Sequence, residues 1–104
     1  MISVERLGLL GLGLRAGHLV VGTGGVRDAL RRGEIELVVI AGDRSERTDE
    51  KVGRLARARG IPLIEGPPAS ELGRRLGRDA VQVVGVRDPS LAAGIRGETE
   101  AQDH

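Results

Sequence analysis

The residues with the plainest chemical potential are Gly22-Thr23-Gly24-Gly25 and the arginines that follow them, Arg27 and Arg31. Three glycines in four residues stand between an apolar run, Leu19-Val20-Val21, and a helix-like run, Val26 to Arg32. Glycine lets a backbone turn sharply and admits close approach by another group. The first N–H groups of a helix have no intrahelical acceptor, and the helix dipole favours an anion beside them. The chemistry on offer is phosphate binding by backbone N–H groups, with Arg27 and Arg31 supplying charge one helical turn apart. Asp28 opposes this: it favours the helix start but repels phosphate. A further cation, Arg87, belongs to the segment Val84-Gly85-Val86-Arg87-Asp88, read as a loop after a fourth strand that lines one edge together with the Gly22 turn.

Other chemistries find no residues to carry them. There is no Cys, and His18 and His104 are the only histidines, so a thiolate or zinc centre and a catalytic triad are not expected. Ser3, Ser45, Thr48, Ser70 and Ser90 all fall at expected helix starts, where capping explains them. Asp43, Glu46, Asp49 and Glu50 open a helix and complement its dipole. No carboxylate pair stands out for acid–base work, so the chain reads as non-catalytic, with no cofactor and no metal. A dinucleotide reading exists, because Gly22-x-Gly24 follows a strand and Asp43 comes about 20 residues later. It fails where the third glycine is due, at Arg27.

Composition narrows the partners. The 104 residues suit one domain with a modest core. There is no Phe, Tyr or Trp, which argues against modules that stack bases on aromatic rings. Net charge is +1, but Glu98, Glu100 and Asp103 crowd the end. Without them the body holds 16 basic and 12 acidic residues, or +4. Fifteen of the sixteen basic residues are Arg, which forks onto phosphates and stacks on bases without aromatic help. No apolar run approaches the ~20 residues of a membrane span. The opening residues lack the pattern of a signal peptide, and the expected location is the cytoplasm.

The elements that must position these residues follow a repeated order. Ser3 caps a first helix carrying Val4, Leu7, Leu10 and Leu14 on one face. Gly8, Gly11 and Gly13 weaken it, each by roughly 1 kcal/mol against Ala, and are read as allowing close packing on a sheet. Helices then end in Arg and Gly before an aliphatic strand. Arg15-Ala16-Gly17 precedes Leu19–Val21, Arg32-Gly33 precedes Leu37–Ala41, Arg59-Gly60 precedes Ile61–Ile64, and Arg75-Leu76-Gly77 precedes Ala80–Val86. The third helix begins near Ser45 or Thr48 and carries Val52, Leu55 and Ala56 inward. The fourth follows Pro67-Pro68 and carries Leu72 and Leu76. Asp88-Pro89 starts a last helix that buries Leu91 and Ile95. Pro62 marks an edge or a strand start. The alternation predicts helices on both faces of a largely parallel or mixed four-stranded sheet. The domain runs over 1–96, and 97–104 is expected to be a frayed acidic tail.

The runs LRAGHLVVGTGGVRDALRRG, ELVVIAGDRSERT, ARGIPLIE, SELGRRLGRD and VVGVRDPSLAAGI, in this order, resemble the kink-turn RNA-binding ribosomal protein superfamily of L-seven-Ae / L-thirty-e type. The likeness extends from about Val4 to Ile95 and is greatest to the bacterial YlxQ-like branch. It implies an α/β fold, a three-layer α/β/α sandwich with a four-stranded mixed sheet and about five helices. It also implies structured RNA as partner, ribosomal RNA among the candidates, contacted through Gly22, Thr23, Gly24, Gly25, Arg27, Asp28 and Arg31, and through Gly85, Val86 and Arg87. The family's helix start usually reads Gly-x-Asn-Glu-x-x-Lys, whose polar side chains contact sheared G·A pairs and nearby phosphates. Here Gly22 keeps the first glycine, Gly24 stands at the Asn position, Gly25 at the acidic one and Asp28 at the Lys one. Backbone contact to phosphate survives these changes, while readout of base edges is expected to weaken, because phosphate contacts position without specifying. The alternative expectation is a protein-interaction module that keeps the fold and has lost the RNA site.

Overall fold

The structure, a computed structural model, describes residues 2–97. Beyond Gly97, the acidic segment expected to fray lies outside the described residues. Helix α1 (Val4–Arg15) starts at Ser3, whose hydroxyl accepts the Arg6 N–H at 3.3 Å. It is followed by strand β1 (Leu19–Val21), helix α2 (Thr23–Arg31) and strand β2 (Leu37–Ile40). One helical stretch then runs through α3 (Glu46–Thr48), a π turn (Asp49–Gly53) and α4 (Arg54–Ala58). Strand β3 (Leu63–Glu65), helix α5 (Ala69–Arg75), strand β4 (Val83–Val86) and helix α6 (Pro89–Arg96) complete the order. Counting the interrupted stretch once, the described residues form five helices. Gly17, Gly33, Gly60, Gly77 and Gly97 all have φ between 68° and 78°, the left-handed stop that lets each helix hand over to the next segment.

The sheet order is β1-β4-β2-β3. Strand β4 runs antiparallel to both β1 and β2, and β2 runs parallel to β3, so the sheet is mixed. The two central strands are buried throughout, which is why they read as unbroken apolar runs rather than as alternation. Their side chains part to two faces. Leu37, Val39, Val84 and Val86 join Leu7, Leu10, Leu72 and Ile95 on one side. Val38, Ile40 and Val83 join Val26, Leu30, Val52 and Ala56 on the other. This is the three-layer α/β/α arrangement, with α1, α5 and α6 on one face and α2 with the interrupted helix on the other. Each fully buried Leu or Val contributes about 1.5–3 kcal/mol relative to an exposed one.

Several local expectations are corrected. Val4 is 67% exposed and Leu14 is exposed as well, so only Leu7 and Leu10 of the expected face reach the core, with Gly13 beside them. Of the three α1 glycines only Gly13 packs closely. A Cβ there would lie 3.3 Å from Leu19 Cδ2 and collide with Leu91, whereas Gly8 and Gly11 face open space. The fourth strand is shorter than Ala80–Val86, because residues 80–82 make no ladder. Ser45 caps the third helix by accepting the Thr48 N–H at 3.2 Å. Ser70 and Ser90 lie inside helices instead: Asp88 caps α6 through Leu91 N–H at 2.8 Å, and Asp43 reaches across to cap Ala69 N–H at 2.8 Å. Asp43 therefore opens α5 rather than the helix that follows it in sequence.

Candidate nucleic-acid interface

Gly22 has φ 102° and ψ 155°, a conformation open to glycine and costly for a side chain. Its N–H donates to the Val83 carbonyl at 3.0 Å, and its own carbonyl accepts the Val26 N–H at 3.0 Å. The end of β1 is thus tied to the beginning of β4, and α2 leaves at once. No side chain caps α2. Its first N–H groups, at Thr23, Gly24 and Gly25, start a helix whose positive end faces outward at two exposed glycines. A Cβ on Gly24 would meet nothing within 4 Å, whereas one on Gly25 would sit 3.0 Å from Val20 Cγ1.

The rim beside this turn comes from two other segments. The Gln82 side chain accepts the Ser45 N–H at 2.8 Å, and its main-chain carbonyl accepts the Ala41 N–H at 2.8 Å. Gln82 therefore locks the residues before β4 to the start of the third helix. Thr23, Gly24, Arg27, Arg47, Lys51 and Gln82 line a hollow of about 290 Å³ at this point. It opens into a shallower groove of about 520 Å³ between α2 and the interrupted helix, where Arg27, Arg31, Lys51 and Arg54 stand over Leu55 and Ala58.

Several cations near this path are held by acids of the chain. Arg44 is paired with Glu65 at 2.6 Å and Asp49 at 3.2 Å, Arg57 with Asp49 at 3.4 Å and Arg32 with Glu34 at 3.5 Å. Arg44 donates to Glu65 and to Asp49, which raises its pKa, the bond to Glu65 most, and clamps the interrupted helix to β3. Arg74 is held by Glu71. Among the described residues Arg27, Arg31, Arg47, Lys51 and Arg54 form no ion pair. Glu50 is the carboxylate lining the groove, and Asp28 lines neither part.

Of the site residues expected from sequence, Gly22, Thr23, Gly24, Gly25, Arg27 and Arg31 come together here, with Asp28 on the adjoining face. Gly85, Val86 and Arg87 do not. Gly85 and Val86 are inside β4 rather than in a loop, and Val86 is 0% exposed. Because β1 and β4 are antiparallel, Val21 lies opposite Val84 and Leu19 opposite Val86. Arg87 donates its N–H to the His18 carbonyl at 2.8 Å, at the other end of the sheet from Gly22. Gly85 serves packing: a Cβ there would sit 2.8 Å from Ile35 Cδ1. The sequence reading missed Gln82, Arg47, Lys51 and Arg54. The spacing of 47, 51 and 54 was the available signal, since i, i+4, i+7 marks one helical face.

Residues 7–94 match the family model described as the ribosomal protein L7Ae/L30e/S12e/Gadd45 family. The chain belongs to this family. Among relatives of this L7Ae/L30e/S12e/Gadd45 member, the RNA-binding protein YlxQ of Bacillus subtilis (strain 168) is 33% identical over 92 residues, covering 88% of this chain and 92% of the relative. A solved structure of a protein with unknown function from Bacillus halodurans superposes with a TM-score of 0.85 at 28% identity, over 94% of this chain and 99% of the other. A 15.5kD RNA binding protein from Giardia lamblia superposes with a TM-score of 0.75 at 24% identity, over 94% and 87% of the two chains. That second likeness concerns the fold.

Proposed function

We propose that this family member is a non-catalytic RNA-binding protein that contacts structured RNA of kink-turn type at the glycine-opened start of α2. The observation that carries the reading is the uncapped helix start at Gly22–Gly25 beside the unpaired Arg27 and Arg31. Exposed helix N–H groups and the dipole favour a phosphate, and arginine adds charge-assisted hydrogen bonds to it. The RNA-binding description of the Bacillus subtilis relative supports the same partner. Val86 and Arg87 have no part in this interface, being buried in the sheet and at its far end respectively.

Chemistry at this site is positioning rather than reading. Gly24 and Gly25 offer N–H groups and no side chain, so base discrimination falls to neighbours such as Gln82. The test is equilibrium binding of a kink-turn RNA and a matched duplex across a salt series. The reading predicts that the kink-turn binds more tightly and that log K falls linearly with log salt, by about 0.7–0.9 per phosphate contacted. No detectable binding of either RNA at low salt would refute it.

A further inference from the structure

The unpaired cations do not stop at α2. Arg47, Lys51 and Arg54 project from the interrupted helix toward Arg27 and Arg31, and the hollow beside Gly24 is continuous with the groove through the shared Arg27 and Lys51. The geometry points to a second, base-independent phosphate track along this groove, carrying the strand that leaves the glycine turn. This inference rests on the RNA reading above and assigns it residues that the helix start does not include. The track's length exceeds the reach of a single phosphate: from Arg47 to Arg54 the helix rises roughly 10 Å.

The local chemistry favours a polyanionic strand. Five cations without carboxylate partners converge on one groove lined by a single carboxylate, Glu50, while the neighbouring Arg44 and Arg57 are held by acids of their own chain. Pairing Arg44 and Arg57 with Asp49 removes one of the two carboxylates of the π turn from competition for Lys51. The floor of Leu55 and Ala58 accepts a sugar or a base face, and the guanidinium planes of Arg27 and Arg54 replace the absent aromatic rings as stacking surfaces. Arg47 and Arg54 are exposed and Lys51 is half-buried, so a strand reaches all three without rearrangement. A groove open along its length takes a continuous backbone more readily than an enclosed small molecule.

The experiment measures the salt dependence of kink-turn RNA binding for the wild type, for Lys51→Ala/Arg54→Ala, and for Arg59→Ala/Arg78→Ala, whose exposed side chains lie outside the groove. The groove variant is expected to lower the magnitude of the log K against log salt slope by about 0.7–0.9 for each phosphate it ceases to neutralise, equally for kink-turns of different sequence, and the control pair to keep the wild-type slope. Circular dichroism melts establish that both variants fold. A titration with ATP separates the two sources of phosphate. Wild-type binding to RNA with an unchanged slope in the groove variant overturns the track while leaving the RNA reading standing. Saturable ATP binding that the groove variant abolishes, with its RNA slope unchanged, also overturns it. Absence of wild-type RNA binding refutes the function and the track together.

Discussion

The departure at Gly24 allows a gain-of-function test. The related family pattern has Asn where this chain has Gly24, and an added Cβ there meets nothing within 4 Å. The residue is helical and has no positive φ, so Gly24→Asn fits without strain. Asn and Gly differ in helix propensity by only a few tenths of a kcal/mol in favour of Asn, and the melting temperature should hardly move. A well-made side-chain contact to a base edge is worth about 1–3 kcal/mol of discrimination, or roughly 5- to 150-fold in affinity. Fluorescence anisotropy with a kink-turn RNA, and with a control whose G·A pairs are replaced by Watson–Crick pairs, reads this directly. The variant should tighten on the first RNA by that factor and leave the second unchanged. Equal tightening on both, or no change with folding intact, would refute the placement of Gly24 against base edges. The same replacement at Gly25 is less favourable, because its Cβ would press on Val20 Cγ1 at 3.0 Å.

Two further outcomes concern stability. Gly73→Ala sets a Cβ 2.7–3.0 Å from the backbone of Ala80, which cannot yield as a side chain would. Overpacking of this kind costs about 1–3 kcal/mol, visible as a lower thermal midpoint. The hydrogen bonds from Arg74, at 2.7 and 3.0 Å, hold the Glu71 carboxyl below the ordinary glutamate range. A lowered carboxyl pKa means that this pair stabilises the fold above the unfolded-state value and loses its contribution as pH falls through the folded one. The pair is exposed, so the effect is small; Glu71→Gln should flatten part of the acid limb of stability against pH below about 4.5 and leave RNA affinity unchanged.

Local signals in the sequence located most of the elements. Ser3, Ser45 and Asp88-Pro89 mark helix starts, and five glycines after the helices all adopt the left-handed stop. The glycine turn was legible for the same reason, since Gly22 occupies a conformation that only glycine takes freely. The mixed sheet was expected, but not which strand reverses. With β1 and β4 parallel, their ends would gather at one edge, where ligands commonly sit. Apolar patterning is identical for parallel and antiparallel strands when both faces are covered, so nothing in Val81-Gln82-Val83-Val84-Gly85-Val86 told that β4 reverses. The reversal sends Arg87 to the far end and brings Gln82 to the turn. The π turn at Asp49–Gly53 and the unpaired state of Lys51 and Arg54 were equally hidden, because they depend on which carboxylates the fold brings to Arg44 and Arg57.

The measurement that bears most directly on the central claim is an NMR titration of the isotope-labelled protein with kink-turn RNA, following backbone amides. The account predicts the largest shifts at Thr23, Gly24 and Gly25, with Gln82 and Lys51 next, and little change at His18 and Arg87. Shifts centred on His18 and Arg87, with Gly24 and Gly25 unmoved, would contradict it.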